Sequence, residues 1–256
     1  MAADFGCNLG FWAFRHLPAI SAADVGALLA EHGVDRAVVG WLPCVTYRNV
    51  HEGNEALAAE VGEDPRWVPF ATLNPTYPGW QDDLDRCAGA LRMRGLKLYP
   101  NYHSYSVGDG AADSLVEAAL SRAWPVMVYV RLEDERFHHL RMQVGPTPVD
   151  DIAALAKRFP DGQFVLANGS YPEIERWFEL VGPRETAWAE LGYLKSPLEA
   201  VATCVERFGA SRLLAGTNTP LMSPAPGLQK IARAPITDVD REAILGGNAA
   251  RLLRAG

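Results

Sequence analysis

The sequence predicts an α/β fold, a closed (β/α)8 barrel of the TIM-barrel type, in which eight parallel strands are each followed by a helix. Three observations predict it. Strand-like and helix-like segments alternate eight times, and no linker-like run divides them. The strand-like segments are short and apolar, as in a parallel sheet that is buried on both faces. The length, 256 residues, is close to that of one such barrel, so we expect residues 1–256 to form a single domain.

The predicted strands are apolar runs that end at a glycine, a proline or a polar residue. They are Asp4–Leu9, Ala37–Leu42, Trp67–Leu73, Gly95–Tyr99, Pro125–Leu132, Phe164–Ala167, Thr186–Leu191 and Arg212–Gly216. Side chains alternate between the two faces of a strand. In the fourth strand, Lys97 and Tyr99 therefore share one face, and in the fifth, Tyr129 and Arg131 do.

The predicted helices are segments of helical periodicity with recognisable ends. Ser21 is a typical N-cap for the first helix, Gly33 a typical stop, and Pro172 fits the first turn of the sixth. The helices are predicted over Ser21–His32, Asn54–Val61, Gln81–Arg92, Ala112–Arg122, Val149–Phe159, the segment from Pro172 to Val181, Pro197–Phe208 and Asp240–Arg254. A Pro-rich loop is predicted between the eighth strand and the last helix.

Two long loops interrupt this alternation. They are Asn101–Gly110, after the fourth strand, and Glu133–Pro148, after the fifth. In a parallel barrel the active site lies at the carboxyl ends of the strands, on the loops that lead into the helices. Both loops lie on that face, and loops this long in a compact domain are often functional lids.

Composition excludes several classes of partner. A net charge of −7 argues against nucleic acid or an anionic membrane as the main partner. The four cysteines, Cys7, Cys44, Cys87 and Cys204, show no C-x-x-C spacing, so neither a disulfide framework nor a zinc knuckle is predicted. The N-terminus lacks the pattern of a signal peptide, and no apolar run approaches the ~18 residues that span a bilayer. We therefore expect a soluble, cytoplasmic protein.

The stretch Gly95–Tyr105 concentrates more chemistry than any other. Lys97 lies inside an apolar strand, and a buried lysine without a partner costs several kcal/mol. One interpretation is an ion pair with a neighbouring carboxylate. The other is a cation that lines a ligand pocket at the strand end, where Tyr102 and His103 crowd the following loop.

Five motifs, in order along the whole chain, resemble the amidohydrolase-related family (amidohydrolase family 2). Arg212–Pro220 resembles its eighth-strand motif and Ile244–Leu253 its closing helix. Gly95–Pro100 resembles its fourth-strand G-x-K-x-x-P, and Phe164–Pro172 its sixth-strand segment. Asp4–Asn8 stands where D-x-H-x-H opens the barrel in that family. The resemblance implies a TIM barrel with its site at the strand ends.

The family's usual chemistry uses a divalent metal held by His and Asp side chains at these strand ends. By the resemblance, the two first-strand histidines align with Gly6 and Asn8, and the fifth-strand histidine falls at or next to Tyr129. The sixth-strand histidine aligns with Asn168 and the eighth-strand aspartate with Asn218. None is a good zinc ligand, since zinc prefers thiolate, imidazole or carboxylate. We predict a divergent member that binds no catalytic metal and needs no cofactor.

Polar side chains that the fold does not require remain near the predicted mouth. The candidate catalytic residues are Lys97, Tyr99, His103 and Tyr129. The candidate substrate-binding residues are Asn8, Arg15, Tyr102, Arg131, Arg136, Asn168 and Asn218. Several cations among neutral donors predict a small anionic ligand, such as a carboxylate or a phosphate. The alternative for Arg131 and Arg136 is a surface ion network with the acidic residues between them.

Three functions fit these residues. In the first, a tyrosine or His103 moves a proton while Lys97 and an arginine stabilise an oxyanion, in lactone or amide hydrolysis, elimination or isomerisation. In the second, a neutral Lys97 forms an imine with a carbonyl substrate, as in a lyase. In the third, the barrel is catalytically silent and binds a small ligand or a partner protein. The first is favoured, and exposed aromatic residues leave a homodimer possible.

Two further expectations concern structure. Gly216 should allow a tight exit from the eighth strand, so a bulky replacement should destabilise the protein. Asn248, after Gly246 and Gly247, should brace the final helix against the barrel.

Overall fold

The computed structural model describes residues 2–140, 142–195, 197 and 199–254. The strands of this part of the chain pair in parallel. They are β1 (Ala2–Leu9), β2 (Val34–Trp41), β3 (Trp67–Pro69), β4 (Ala71–Thr72), β5 (Leu96–Leu98), β6 (Val126–Tyr129), β7 (Phe164–Ala167), β8 (Ala187–Glu190) and β9 (Leu213–Leu214). Strands β3 and β4 are two parts of one barrel strand, interrupted at Phe70, whose N–H donates to the Val39 carbonyl at 2.8 Å.

The strands close into a barrel. Strands β1 to β3 form one ladder in chain order and β4 to β9 another. The Phe5 N–H donates to the Ala215 carbonyl at 2.8 Å, and the Asn8 N–H donates to the Thr219 carbonyl at 2.7 Å, so the first strand meets the segment that leaves the last. The (β/α)8 fold class predicted from the sequence is confirmed.

The helices lie after the strands as expected, with one addition. They are α1 (Ala22–Ala30), α2 (His51–Val61), α3 (Trp80–Ala88), α4 (Asp113–Leu120), α5 (Val149–Arg158), α6 (Tyr171–Val181), α7 (Ala200–Phe208), α8 (Pro224–Arg233), α9 (Asp238–Glu242) and α10 (Asn248–Arg254). Ser21 caps α1 as predicted, because its Oγ accepts the N–H of Asp24 at 3.1 Å. Asn248 braces α10 as predicted, since its Nδ2 donates to the carbonyls of Ala210 and Leu213 at 2.8 Å each.

The Pro-rich loop predicted before the last helix is wrong, because α8 occupies this segment. Its prolines lie in the first turn, where a missing N–H costs no intrahelical hydrogen bond. The single last helix is also divided, with a π-helical turn at Ala243–Gly247 between α9 and α10. Part of the predicted seventh helix, at Leu198, lies outside the described residues.

Two buried layers result. The outer layer lies between the strands and the helices and is apolar, with Cys7, Leu96 and Val128 among its members. The barrel interior contains aromatic residues such as Tyr99 and Trp188. It also holds buried ionisable side chains, which the next section describes.

All four cysteines are buried and free. In the described part of the chain, every helix is too short or too polar to cross a membrane.

Candidate functional site

Lys97, on β5, is fully buried inside the barrel. Its Nζ donates to the Cys7 carbonyl at 2.6 Å and to Asn8 Oδ1 at 3.2 Å, and it lies 5.8 Å from the centre of the Tyr129 ring. Among the described residues, no carboxylate oxygen lies within 4.0 Å of Lys97 Nζ, the longest distance for an ion pair. Burial lowers the pKa of Lys97 to about 8, although nearby acidic groups oppose part of that change. Its direct partners are therefore neutral, as in the pocket interpretation.

Glu190, on β8, is the second buried ionisable group of the barrel interior. Three glycines leave room for it: a Cβ at Gly6 would lie 2.9 Å from its Oε1, and one at Gly192 or Gly216 would overlap that atom. Its carboxylate accepts the N–H groups of Asn168, at 3.2 Å, and of Gly192. Burial raises the pKa of Glu190 to about 7, and a neighbouring carboxyl group adds to the rise. The predicted importance of Gly216 thus has a definite cause, the space that Glu190 occupies.

Asp4, on β1, is that neighbouring carboxyl group. It is fully buried, and its Oδ1 accepts the N–H groups of Gly6 at 2.9 Å and Thr217 at 3.0 Å. The Thr217 hydroxyl donates to its other oxygen. Burial raises the pKa of Asp4, and the hydrogen bonds from Thr217 and Gly6 oppose the rise. The barrel interior therefore holds one amine and two carboxyl groups that titrate in each other's field.

Tyr99 and Tyr129 lie beside Lys97. Their rings stack with centroids 4.5 Å apart, and the Tyr99 hydroxyl donates to Asn8 Oδ1 at 3.3 Å. The Tyr129 hydroxyl is buried and has no hydrogen-bond partner among the described residues. Burial raises the pKa of both phenols well above the ordinary value, so both keep their protons at neutral pH. They can donate hydrogen bonds there but are poor bases.

Asn168 and Asn218 occupy backbone positions that few residue types tolerate. Each has φ of 55°, in the left-handed region where asparagine is several times commoner than most residues. Their Nδ2 groups both donate to the carbonyl of Leu132, at 3.2 and 2.7 Å. Their buried Oδ1 atoms have no partner in the described chain. The structure thus brings four of the predicted residues into contact, namely Asn8, Lys97, Tyr99 and Tyr129. Asn168 and Asn218 follow β7 and β9 at the same end of the barrel.

The loop after β6 covers the mouth of the barrel; we call residues 131–140 and 142–148 the lid. Its predicted range includes Arg141, which lies outside the described residues. The Leu132 side chain is fully buried among the aromatic residues of the interior. Glu133, 2% exposed, accepts Trp12 Nε1 at 3.1 Å and Arg15 Nε at 3.4 Å. Arg15 also donates to the Leu221 carbonyl, so it fastens the lid from the first loop.

The other predicted site residues lie farther out. Arg131 forms a bidentate ion pair with Glu173, and Arg136 pairs with Asp134 on an exposed turn. The ion-network alternative describes the contact of Arg136, whereas the partner of Arg131 lies on α6, outside the acidic residues between the two arginines.

Tyr102 and His103 follow β5 and form a separate group near the mouth. Tyr102 packs edge-on against Trp12, with ring centroids 6.3 Å apart. The His103 Nε2 lies 3.1 Å from the Cys44 carbonyl and donates to it, which leaves Nδ1 unprotonated in the neutral ring. Burial lowers the pKa of His103, so the ring stays neutral.

Comparison with known proteins decides the family. The family model described as amidohydrolase matches residues 13–255. The chain belongs to the amidohydrolase family. No curated protein sequence matches it.

Solved structures share the fold of this amidohydrolase-family protein at low identity. A 5-carboxyvanillate decarboxylase from Sphingomonas paucimobilis is 17% identical, with a TM-score of 0.75 over 99% of this chain and 98% of that one. A TIM-barrel protein from Bordetella bronchiseptica is 18% identical, with a TM-score of 0.75 over 99% and 98%. A 2,6-dihydroxybenzoate decarboxylase from Rhizobium is 16% identical, with a TM-score of 0.69 over 99% and 98%. These likenesses show the fold.

The residues at the family's metal positions do not fit a divalent metal in this amidohydrolase-family chain. Asn8 Oδ1 already accepts Lys97 Nζ and the Tyr99 hydroxyl. Gly6 offers no side chain, and an added one would meet Glu190. In the part of the chain that the structure describes, no three His, Cys, Asp or Glu side chains cluster in a way that could hold a metal. Neutral amides are weak ligands for zinc, and metal independence stays a prediction.

Sequence reasoning missed Glu190 and Asp4 as members of the site. Glu190 stands in the strand Ala187–Glu190 with small or aromatic neighbours, and a lone carboxylate at a strand end is often solvent-exposed. A signal was present, since Gly192 and Gly216 stand at the ends of two predicted strands and Gly6 lies within a third. Glycines at adjacent strand ends can leave room for a large side chain from a neighbouring strand.

Proposed function

We propose that this protein is an enzyme that acts without a bound metal, by acid–base catalysis, on a small anionic carbonyl compound. The observation that carries the proposal is the environment of Lys97. A fully buried ammonium whose direct partners are a carbonyl and an amide oxygen costs several kcal/mol. A barrel does not need such a group for folding, and at this place it can stabilise negative charge on a substrate.

The proton transfer is better assigned to Lys97 and Glu190 than to the tyrosines or His103. Burial and neighbouring charge bring the pKa of Glu190 to about 7 and that of Lys97 to about 8. Groups with pKa values near the working pH are the most effective general acids and bases. For hydrolysis of a lactone, the Glu190 carboxylate would accept a proton from the attacking water. As the ring C–O bond breaks, the Lys97 ammonium would donate a proton to the leaving alkoxide, and the proton on Glu190 would then restore Lys97. Lys97 and the phenolic hydroxyl of Tyr129 would stabilise the oxyanion.

The substrate class is supported by charge and by relatives. The ammonium of Lys97, with the unpaired Asn8 Nδ2 and Tyr129 hydroxyl near it, suits a carboxylate. Two related structures are named as decarboxylases of 5-carboxyvanillate and of 2,6-dihydroxybenzoate, which are small aromatic acids. Hydrolysis, elimination and isomerisation all remain candidate reactions of such compounds. Because the lid covers the mouth, substrate entry requires the lid to open.

Two other functions have an observation in their favour. The lowered pKa of Lys97 favours an imine-forming lyase, which borohydride would trap on Lys97 in the presence of a carbonyl substrate. The covered mouth, with the Leu132 carbonyl bound by two asparagines, favours a catalytically silent ligand-binding protein. A cytoplasmic location, a single domain and a homodimer stay predictions.

The test is a substrate screen with Lys97→Met. We expect wild-type protein, treated with a chelator, to turn over a member of a panel of lactones and hydroxylated aromatic acids. Lys97→Met should lower kcat/KM by at least ~10²-fold, or about 3 kcal/mol, because it removes a charge that acts at the reacting atoms. Lys157→Met, which changes an exposed lysine on α5, is the matched control.

Three results would contradict the proposal: activity that the chelator abolishes, equal activity in Lys97→Met, or no turnover of any compound that binds. The last result would favour the silent barrel.

A further inference from the structure

A cleft of about 590 Å³ lies beside the covered mouth, on the same face of the barrel. Five loops that follow strands line it, and the first loop and the lid contribute the apolar residues Phe14, Met142 and Val144. Its lining includes Tyr47 and Arg48 after β2, Asn74 and Tyr77 after β4, and Tyr102 and His103 after β5. A volume of this size holds a small organic molecule.

Among the described residues that line the cleft, Arg48 carries a positive charge without a partner. Arg48 is exposed and forms neither a hydrogen bond nor an ion pair with any described residue. Asn74 uses its Oδ1 to accept the N–H and the hydroxyl of Thr76, at 3.0 and 2.8 Å. Its Nδ2 makes no hydrogen bond within the described chain, so it is a second donor in the lining of the cleft. A guanidinium and an amide N–H together suit a carboxylate.

The rest of the lining suits a flat ring. Tyr47, Tyr77 and Tyr102 are partly buried and offer aromatic surface, on which planar molecules stack. His103 forms part of the wall and is neutral. Its ring lies 6.2 Å from that of Tyr99, whose hydroxyl donates to the same Asn8 Oδ1 as Lys97 Nζ. Tyr99, in the barrel interior, therefore contacts both a residue of the cleft wall and the asparagine that Lys97 binds.

We propose that this cleft is a binding site for a flat aromatic carboxylate, with Arg48 and Asn74 as its anion-binding residues. The inference rests on the proposed function in taking this anion as the substrate that reaches the interior when the lid opens. Binding in the cleft itself does not require Lys97, which is fully buried and does not line the cleft.

Salicylate, which is fluorescent, planar and anionic, is a suitable probe, with salicylamide as its uncharged counterpart and cyclohexanecarboxylate as a non-planar anion. We expect the wild-type protein to bind salicylate about tenfold more tightly than either. Arg48→Gln should weaken salicylate binding about tenfold and remove the preference over salicylamide, since a charge-assisted pair is lost. Arg92→Gln, an exposed arginine on the opposite face, should leave binding unchanged.

Lys97→Met separates this inference from the proposed function. Full salicylate binding by Lys97→Met, with loss of turnover, supports both. If salicylate binding is unchanged in Arg48→Gln, or lost in Lys97→Met, the proposed binding site in the cleft is wrong. The proposed catalytic role of Lys97 is not affected by that result. Salicylate binding that depends on Arg48, together with unchanged turnover in Lys97→Met, supports the cleft and removes the proposed function.

Discussion

The outer layer and the barrel interior are both buried, but they are built from different chemistry. Leu96 and Leu98 face the helices and pack among aliphatic side chains and free cysteines. Lys97, between them on the same strand, faces the interior with Glu190 and Asp4 nearby. Apolar burial stabilises the fold by ~25 cal/mol per Å², whereas buried charges are at best neutral for stability. The apolar side chains of the outer layer therefore stabilise the barrel. The buried ionisable side chains of the interior do not, and a function is what accounts for their presence.

Glycines make this difference possible. In the interior, Gly40 makes room for Lys97, since a Cβ there would lie 2.8 Å from Lys97 Cδ. Gly6, Gly192 and Gly216 do the same for Glu190. Lys97 and Glu190 thus both occupy space that glycines leave open, and a change to these glycines should act through the ionisable group.

The largest effect is expected for Gly216→Ala. The new Cβ would overlap the Glu190 carboxylate and push it from the N–H groups of Asn168 and Gly192. Overpacking and two lost hydrogen bonds together should lower the free energy of unfolding by about 4 kcal/mol. Urea denaturation measures it. Gly145→Ala, at a glycine with open space around it, is the control.

A double mutant decides whether Glu190 is the cause. In a Glu190→Ala background, Gly216→Ala should cost much less, because the overlapping atoms are gone. An equal cost in both backgrounds would contradict the link between the two residues and leave only a backbone effect.

The next largest effect is a change of about 3 kcal/mol in the free energy of unfolding with pH. The pKa of Glu190 rises from 4.5 in the unfolded chain to about 7 in the folded one. Between these values the folded state binds more protons than the unfolded state, so this group lowers stability as pH rises from 4.5 to 7. Below 4.5 and above 7 its contribution is flat. Glu190→Gln should lack this fall, and denaturation curves of both proteins across pH 4 to 8 should show the difference. Parallel stability profiles would mean that Glu190 titrates normally.

The sequence predicted the fold well because the fold depends on the outer layer. Alternating apolar strands and capped helices follow from local patterns, and the motifs at Gly95–Pro100 and Arg212–Pro220 place them in a family. The exception is α8, where the prolines of its first turn resemble those of a loop.

The candidate site was only partly predictable. Lys97 was found because a lysine in an apolar strand breaks the local pattern. Glu190 was missed because its burial depends on glycines from strands far apart in sequence. Asn168 and Asn218 were read as ligand-binding amides, but their backbone conformation and their bonds to Leu132 depend on the folded lid. A local sequence pattern does not show which side chains a lid will cover in the folded protein.

The smallest effect, about 1 kcal/mol, tests the boundary between the interior and solvent. Glu133 joins the lid to Trp12 and Arg15 through a carboxylate that is almost fully buried. Glu133→Gln keeps an acceptor for Trp12 and loses the ion pair with Arg15, which is 37% exposed and partly screened by solvent. The lid should then open about fivefold more often, and hydrogen–deuterium exchange of the lid amides measures this. Glu135→Gln is the matched control, because Glu135 is an exposed lid residue whose side chain makes no hydrogen bond or ion pair among the described residues. Equal exchange in the two variants would show that the apolar burial of Leu132, and not this ion pair, holds the interior closed.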